Sequence, residues 1–549
     1  MTTDLSPTTD SQTQAACTSW LRRTPWPLFL FVVVLVLLAA DRYRYLAHFG
    51  FVYTDGDQTT FWYQADDIAH GIFREPCIYG QSYNVPIEAW LAAPLLMVHV
   101  PAYIALPLAS AIQGLIPFLV LALFAYRRGY RWAASIILLI PLALPIEYAV
   151  VSSLPRGFTN GLAIATPAIV CWLFYQSGKS FFFGSFFAVL GLTVNPNCSI
   201  ILLAVGLFAL LTHWRSLKFY IFSLLGALAA APAPLLIDLF YRYHPECNLY
   251  HPKAPFVFNW QMLNDSVFLT GRPSFMLNQQ ELDLFFANFI PIVQKGWLIL
   301  IVLPALALLL LFVRGVKAAV AIFMASVFAI FCLGILRVHM ASYDVFYPGS
   351  RMYLALPVLF AVGLLWLDMG LEENSKKKFR PGPAVIRGLL MVCLAGCAIC
   401  RDAALLDPPS PFVTNAFLPP VQSVEQLKTD CSAIAAACKK YDVSLVLVGD
   451  RSYSSFNEAA PVLTHHVFGT LYPPFERRGF RIAQERTRRH TRVLLYMPTN
   501  VQIFEIEWRF PKTIVISQTP QLLLIELPAP GMAGLDIAEA IGLPYYPTF

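Results

Sequence analysis

Residues 53–71, YTDGDQTTFWYQADDIAHG, hold Asp55, Asp57, Asp66, Asp67 and His70 immediately after the first long apolar run of the chain. Asp55 and Asp57 flank Gly56, and a flexible residue between two acids lets both carboxylates face one substrate or one cation. A D-x-D pair by itself is a common pattern. Asp55 stands out because it sits beside the bilayer, where a carboxylate is costly unless it is used or paired. Asp57 has a plainer role open to it as the N-cap of a helix over 58–70. Asp66, Asp67 and His70 read as the solvated face of that helix, with Gly71 as its stop. Asp66 and His70 are four residues apart and could both touch a metal, but two ligands without a third do not make a metal site.

The elements that must position these residues follow from hydropathy. The 549 residues are 57% hydrophobic and only 13% charged, against about a quarter charged in soluble domains. This composition reads as a polytopic membrane protein. Apolar spans are expected near 27–46, 102–125, 132–151, 160–177, 181–195, 199–214, 217–240, 296–313, 318–336, 352–370 and 386–403, about eleven in all. Residues 1–24 are expected to be a disordered cytoplasmic tail. Arg22 and Arg23 before PLFLFVVVLVLLAA resemble a signal peptide, but the number of later spans favours an uncleaved anchor.

The apolar stretch 85–98 is about 21 Å long as a helix, too short to cross comfortably. With an internal N-terminus and no crossing there, Arg127/Arg128/Arg131, Lys179, Arg215/Lys218, Arg314/Lys317 and Lys376/Lys377/Lys378/Arg380 all fall on the inner side. If 85–98 crossed, all would face outward. The stretch is therefore expected to be an interfacial helix, started by Asn84 and Pro86. Glu88 on it either faces the cavity and binds acceptor or metal, or lies at headgroup level. The outer side then holds a first loop (47–101), a loop at 241–295, a short loop at 337–351 and the tail after 404. The tail, 405–549, mixes a helix over 424–440 with strand-like runs and reads as a small α/β domain beyond a membrane domain of 25–404.

Glu147 and Arg156 are expected to form a structural salt bridge. The basic run 476–492 lies outside by this topology, which argues against a nucleic-acid partner. Cys393, Cys397 and Cys400 read as packing. Cys431 and Cys438 are about 10.5 Å apart along a helix, beyond the roughly 7 Å that a disulfide spans. Cys77 and Cys247, in two different outer loops, could pair or remain thiols.

An acidic motif just outside span one, then an amphipathic helix, then YGQSYNVPIEAWLAAPLL (79–96), many spans and an outer tail together resemble the GT-C superfamily of membrane glycosyltransferases. That class includes protein O-mannosyltransferases, oligosaccharyltransferases and the lipid A aminoarabinose transferase. GSRMYLALPVLF (349–360) is similar to the stretch opening a late span in bacterial members. The resemblance implies an all-α polytopic membrane bundle with interfacial helices in the first outer loop. It implies a lipid-linked sugar donor and a glycan, lipid or protein acceptor, at the outer face of a bacterial inner membrane. It assigns Asp55 as the base or an acceptor-binding residue, with Asp57 as its acidic neighbour. Arg351 is assigned to the lipid phosphate, with Tyr353 in the same stretch, and Glu88 to substrate binding. A divalent cation, Mg or Mn, could be held by Asp57. One departure is plain: many members carry a second acid in the outer loop after span three, where this chain reads SSLPRGFTNG (152–161) with Arg156 instead.

The physical chemistry is consistent with such a site. Sugar nucleotides are cytoplasmic, so transfer outside needs a donor carried by the membrane. A cation must offset the leaving phosphate, and a carboxylate can take the acceptor proton. His339, Asp344, Tyr347 and Lys253, in outer loops, could join. Two other readings stand beside this one, a flippase for lipid-linked sugars and a non-catalytic scaffold of glycan assembly. Against transport, the charges gather at the membrane edges rather than at its centre.

Overall fold

The computed structural model describes residues 26–144, 146–247, 256–258, 299–333, 335–337, 354–375, 382–404, 422–443, 445–448, 455–464, 469–471, 489–496, 514–518, 522–526 and 532–533. Arg351, Tyr353, His339, Asp344, Tyr347, Lys253 and the side chain of Glu147 lie outside the described residues.

Helices dominate. Among the described residues three are long and apolar enough to cross a membrane, Ala102–Arg127, Pro196–His213 and Leu217–Tyr243. Shorter apolar helices pack between them, including Arg131–Ala143, Asn160–Phe174 and Gly178–Val194. The outer faces are greasy. Leu217–Tyr243 is almost wholly unburied, and Leu217, Leu224, Leu228 and Leu235 project outward. An exposed apolar surface this continuous suits hydrocarbon rather than water. The first helix, Trp26–Tyr45, likewise turns Val32 and Val36 outward and buries Val34 and Leu38.

One expected span is interrupted at a proline, and another carries a proline junction inside a continuous helix. Residues 132–151 fold as Arg131–Ala143 and Ile146–Ser153. Leu144, next to Pro145, is extended (φ −70°, ψ 152°), because the proline ring disfavours helical geometry in the residue before it. Residues 217–240 fold as Leu217–Ala230 and Pro232–Tyr243, with Pro232 supplying no N–H at the junction. The span expected at 181–195 has a different start for a local reason. The helix starts earlier, at Gly178, because Ser177 and Ser180 form a reciprocal capping box.

The first loop is not a free excursion. Tyr53 and Thr54 pair antiparallel with Ser423 and Gln422, and Val424 N–H donates to Val52 O at 2.8 Å. The helix Gly56–Ala69 buries Phe61, Trp62 and Ala65 on one side, against Ile87–Met97 and Ser455–Thr464. Burying one large aromatic side chain contributes about 1.5–3 kcal/mol, more than a cap does, so this face fixes where the helix sits.

The C-terminal residues build a five-stranded sheet in the order Gly469–Leu471, Leu445–Val448, Arg492–Tyr496, Leu522–Glu526, Ile514–Gln518. Leu445–Val448 runs parallel to both neighbours and the last two pairs are antiparallel. The helix Val424–Tyr441 is capped by Ser423 and covers this sheet. Its core is continuous with the first loop. Phe61, Trp62, Ala89, Ala92, Ile434, Val446, Leu494 and Leu524 belong to one apolar cluster. The first loop and the C-terminal sheet thus share one apolar cluster. Cys431 and Cys438 are buried thiols in this cluster, while Cys77 and Cys247 are thiols buried with Tyr241 in a smaller one.

Candidate active site

Asp55 leaves the two-residue strand Tyr53–Thr54 and is itself the N-cap of Gly56–Ala69. The cap expected at Asp57 is therefore one step out. Asp57 lies in the first turn and the helix starts at Gly56, because the extended residue before the turn is Asp55 (φ −146°, ψ 177°). Gln58 holds the Asp55 carboxylate twice, through its backbone N–H to Oδ1 at 3.1 Å and its side-chain Nε2 to Oδ2 at 2.9 Å. Asp55 is 1% exposed.

The third donor comes from far along the chain. Arg156 Nη2 donates to Asp55 Oδ2, and both side chains are buried. The described ion pair of Arg156 is with Asp55, while the expected partner Glu147 has its side chain outside the described residues. The guanidinium also lies near the ring of Phe158, 5.9 Å from its centroid.

Four amides and one carboxyl shape the turn that presents Arg156. Asn84 Nδ2 donates to Arg156 O at 3.0 Å. Asn195 Nδ2 donates to Gly157 O at 3.0 Å, and Asn197 Nδ2 donates to Phe158 O. Gly157 N–H donates to Glu88 Oε1 at 2.5 Å. Asn160 Nδ2 reaches both Glu88 Oε2 at 2.5 Å and Val85 O at 2.7 Å. Three consecutive carbonyls and one N–H of a loop are thus satisfied by side chains, as buried backbone requires. Gly161, opening the next helix, lies so close to Asn195 that an added Cβ would come within 2.1 Å of its carbonyl oxygen.

Glu88 therefore faces inward. It is 0% exposed, and burial pushes its carboxyl up to about 7 against the pull of its hydrogen bonds. Asn84 does not start the interfacial helix as expected. The helix begins at Ile87 without a side-chain cap, and the Asn84 amide is committed to Arg156.

A neighbouring network fixes the loop between the two interfacial helices. Asp67 accepts from Arg74 Nε at 2.7 Å and from Tyr79 Oη at 2.9 Å. It is 5% exposed, so the expectation of a solvated face fails for Asp67, whose place on the helix turns it toward that loop. Asp66 and His70 do form a peripheral contact, 3.6 Å apart, with His70 mostly in solvent.

Asp55 and Glu88 are not arranged as ligands of a divalent cation, and the cation expected at Asp57 is not addressed by these contacts. Asp55 faces a guanidinium, and the Glu88 oxygens face N–H groups, so the space a cation needs beside each carboxylate is filled by donors. Among the described residues no group of three or more His, Cys, Asp or Glu is placed to hold a metal.

The structure thus joins Asp55 to Glu88 through the Arg156–Gly157 turn, with Asp57 half-buried one residue beyond the cap. Sequence reasoning missed Asn84, Asn160, Asn195 and Asn197. The one signal for them is NPN at 195–197, a turn-forming run after a short span.

No protein-family model and no curated protein sequence matches the chain. Among solved structures it is similar to the crystal structure of ArnT from Cupriavidus metallidurans bound to undecaprenyl phosphate, with a TM-score of 0.53 at 13% identity, over 92% of this chain and 99% of that one. ArnT is a GT-C aminoarabinose transferase, and the likeness extends over nearly the whole of both chains. At this identity it speaks for architecture alone: the fold of this chain is like that of ArnT.

Proposed function

We propose that the chain is a membrane glycosyltransferase that moves a sugar from a polyprenyl-phosphate carrier to an acceptor hydroxyl at the outer face of the bacterial inner membrane. The observation that carries this reading is the buried Asp55–Arg156 pair, placed directly beyond the first apolar helix in a fold like that of a protein bound to undecaprenyl phosphate.

The reaction divides simply. The acceptor oxygen attacks the anomeric carbon, and the bond from that carbon to the phosphate oxygen breaks. The phosphate leaves on its lipid with the bonding electron pair, and the hydroxyl proton passes to Asp55. A carboxylate held at a helix N-terminus is fixed in direction, which favours the proton transfer. Glu88 acts as a positioning residue, since its two oxygens hold Gly157 and Asn160 on either side of the turn. Arg351 and Tyr353 are proposed to line the donor side, on the resemblance of their stretch alone. The acceptor is a glycan, a lipid or a protein hydroxyl.

The test is transfer from a synthetic polyprenyl-phosphate sugar in membranes containing the protein. Release of polyprenyl phosphate that depends on an added hydroxyl acceptor supports the reading. Movement of the intact lipid-linked sugar across vesicles, without release, would instead mark a flippase.

A further inference from the structure

Asp55 is engaged where a base needs to be open. A carboxylate offers about four lone-pair directions. At least three are met, by Gln58 N–H on Oδ1 and by Gln58 Nε2 and Arg156 Nη2 on Oδ2. The pair is also closed to water, with side chains 1% and 3% exposed. An acceptor hydroxyl cannot approach Oδ2 while the guanidinium occupies it.

The two partners differ in how firmly they are fixed. Asp55 is tied to a helix start. The backbone around Arg156 is also tied, at its own carbonyl by Asn84, at the next N–H by Glu88 and at the next carbonyl by Asn195. The Arg156 guanidinium hangs from this rigid turn on a flexible three-carbon stem, so it can change partner without unfolding anything. Its planar fork suits two phosphate oxygens at once, and buried guanidinium strongly favours an anionic partner.

We propose that Arg156 is the residue that takes the donor's phosphate, and that it does so by leaving Asp55. Asp55 is the anion the guanidinium holds in this structure. A lipid phosphate replaces it on the guanidinium, and the same exchange frees Oδ2 to receive the acceptor proton. Donor binding and release of the base are then one event, so the donor binds before the acceptor can react. This inference rests on the glycosyltransferase reading and adds to it a phosphate-binding residue and an order of binding.

The experiment is binding, not transfer. The full chain is purified in detergent and titrated with a short-chain polyprenyl monophosphate, with the uncharged polyprenol of the same length as control. Asp55→Asn removes the competing charge while keeping the cap, so it should tighten phosphate binding by about tenfold, within the range of coupled sites. Arg156→Gln should weaken it by about tenfold or more, and Arg156→Lys, lacking the fork, should weaken it too. The melting temperature of Asp55→Asn should be low without the probe and recover when it is added.

Unchanged or weaker phosphate binding by a folded Asp55→Asn protein would show a merely structural ion pair. Wild-type affinity in Arg156→Gln would place the phosphate cation elsewhere. Either result overturns the exchange and leaves the glycosyltransferase reading standing. No preference of the wild-type chain for the phosphate over the polyprenol would overturn both. If Arg156→Gln cannot be purified, the Asp55→Asn titration decides the matter.

Discussion

Asn84 and Gly157 are interlocked: both have left-handed backbone, φ 68° and 73°, and a Cβ on Gly157 would lie 2.2 Å from Asn84 Nδ2. Glycine adopts this conformation freely, whereas other residues rarely do. The contact brings the first loop to the turn after Ile146–Ser153 and sets the height at which Arg156 meets Asp55.

Gly157→Ala should therefore push Asn84 away and withdraw Arg156. The strain should cost about 1–3 kcal/mol of stability. Transfer should fall by about a hundredfold, the size of effect that a 1 Å displacement of a reacting group can have. Thermal melting and transfer assays on the same preparation check this. Near-normal transfer in a destabilised protein would separate the turn from catalysis.

Glu88 gives a pH prediction. Its carboxyl is raised from 4.5 to about 7, so the fold favours its neutral form. That contribution is fully present below about pH 4.5 and is lost as pH rises to about 7, amounting to on the order of 3 kcal/mol. Glu88→Gln lacks this titration. Denaturant unfolding of both proteins across this range should show wild type losing stability relative to Glu88→Gln as pH rises. Parallel curves would mean that Glu88 does not titrate there.

Chelation is expected to have no effect. With Arg156 beside Asp55 and N–H donors on Glu88, no site for Mg or Mn is formed by these residues, so transfer should survive EDTA and gain nothing from added metal. A loss on chelation that Mg or Mn reverses would assign the metal elsewhere in the chain.

The pairing of Tyr53 with Ser423 holds the first loop to the start of the C-terminal part, so the expected topology puts both outside. Fusions of a compartment-specific reporter at Ser423 should report outside and at Lys376 inside. Both on the same side would contradict the topology read from the basic clusters.

Some of the site is legible in the sequence and some is not, for physical reasons. Asp55 is legible because a charge beside an apolar span is expensive and must be accounted for. The helix over 56–69 and the helix and strands of the C-terminal part show in local hydrophobic period. Which aspartate caps the helix is not legible, since Asp55 and Asp57 suit the role equally by type. The Arg156–Asp55 pair spans 101 residues, and nothing local announces it. The asparagines at 84, 160, 195 and 197 are neutral and leave no charge pattern. They acquire meaning only when three loops converge on one turn. The continuity of the first-loop and C-terminal cores is also hidden, because each part alone has a reasonable apolar face.

The most direct measurement of the central claim is transfer by Asp55→Asn and Asp57→Asn, each normalised to protein level and assayed at saturating donor. A general base is worth about 10²–10⁴ in rate, so Asp55→Asn should lose that much while still binding the polyprenyl-phosphate donor. Asp57→Asn should stay near wild type, losing only about 0.3–1 kcal/mol of stability from the helix N-terminus. Transfer by Asp55→Asn at the wild-type rate would contradict the account, leaving Asp55 a helix cap and ion-pair partner with no part in the chemistry.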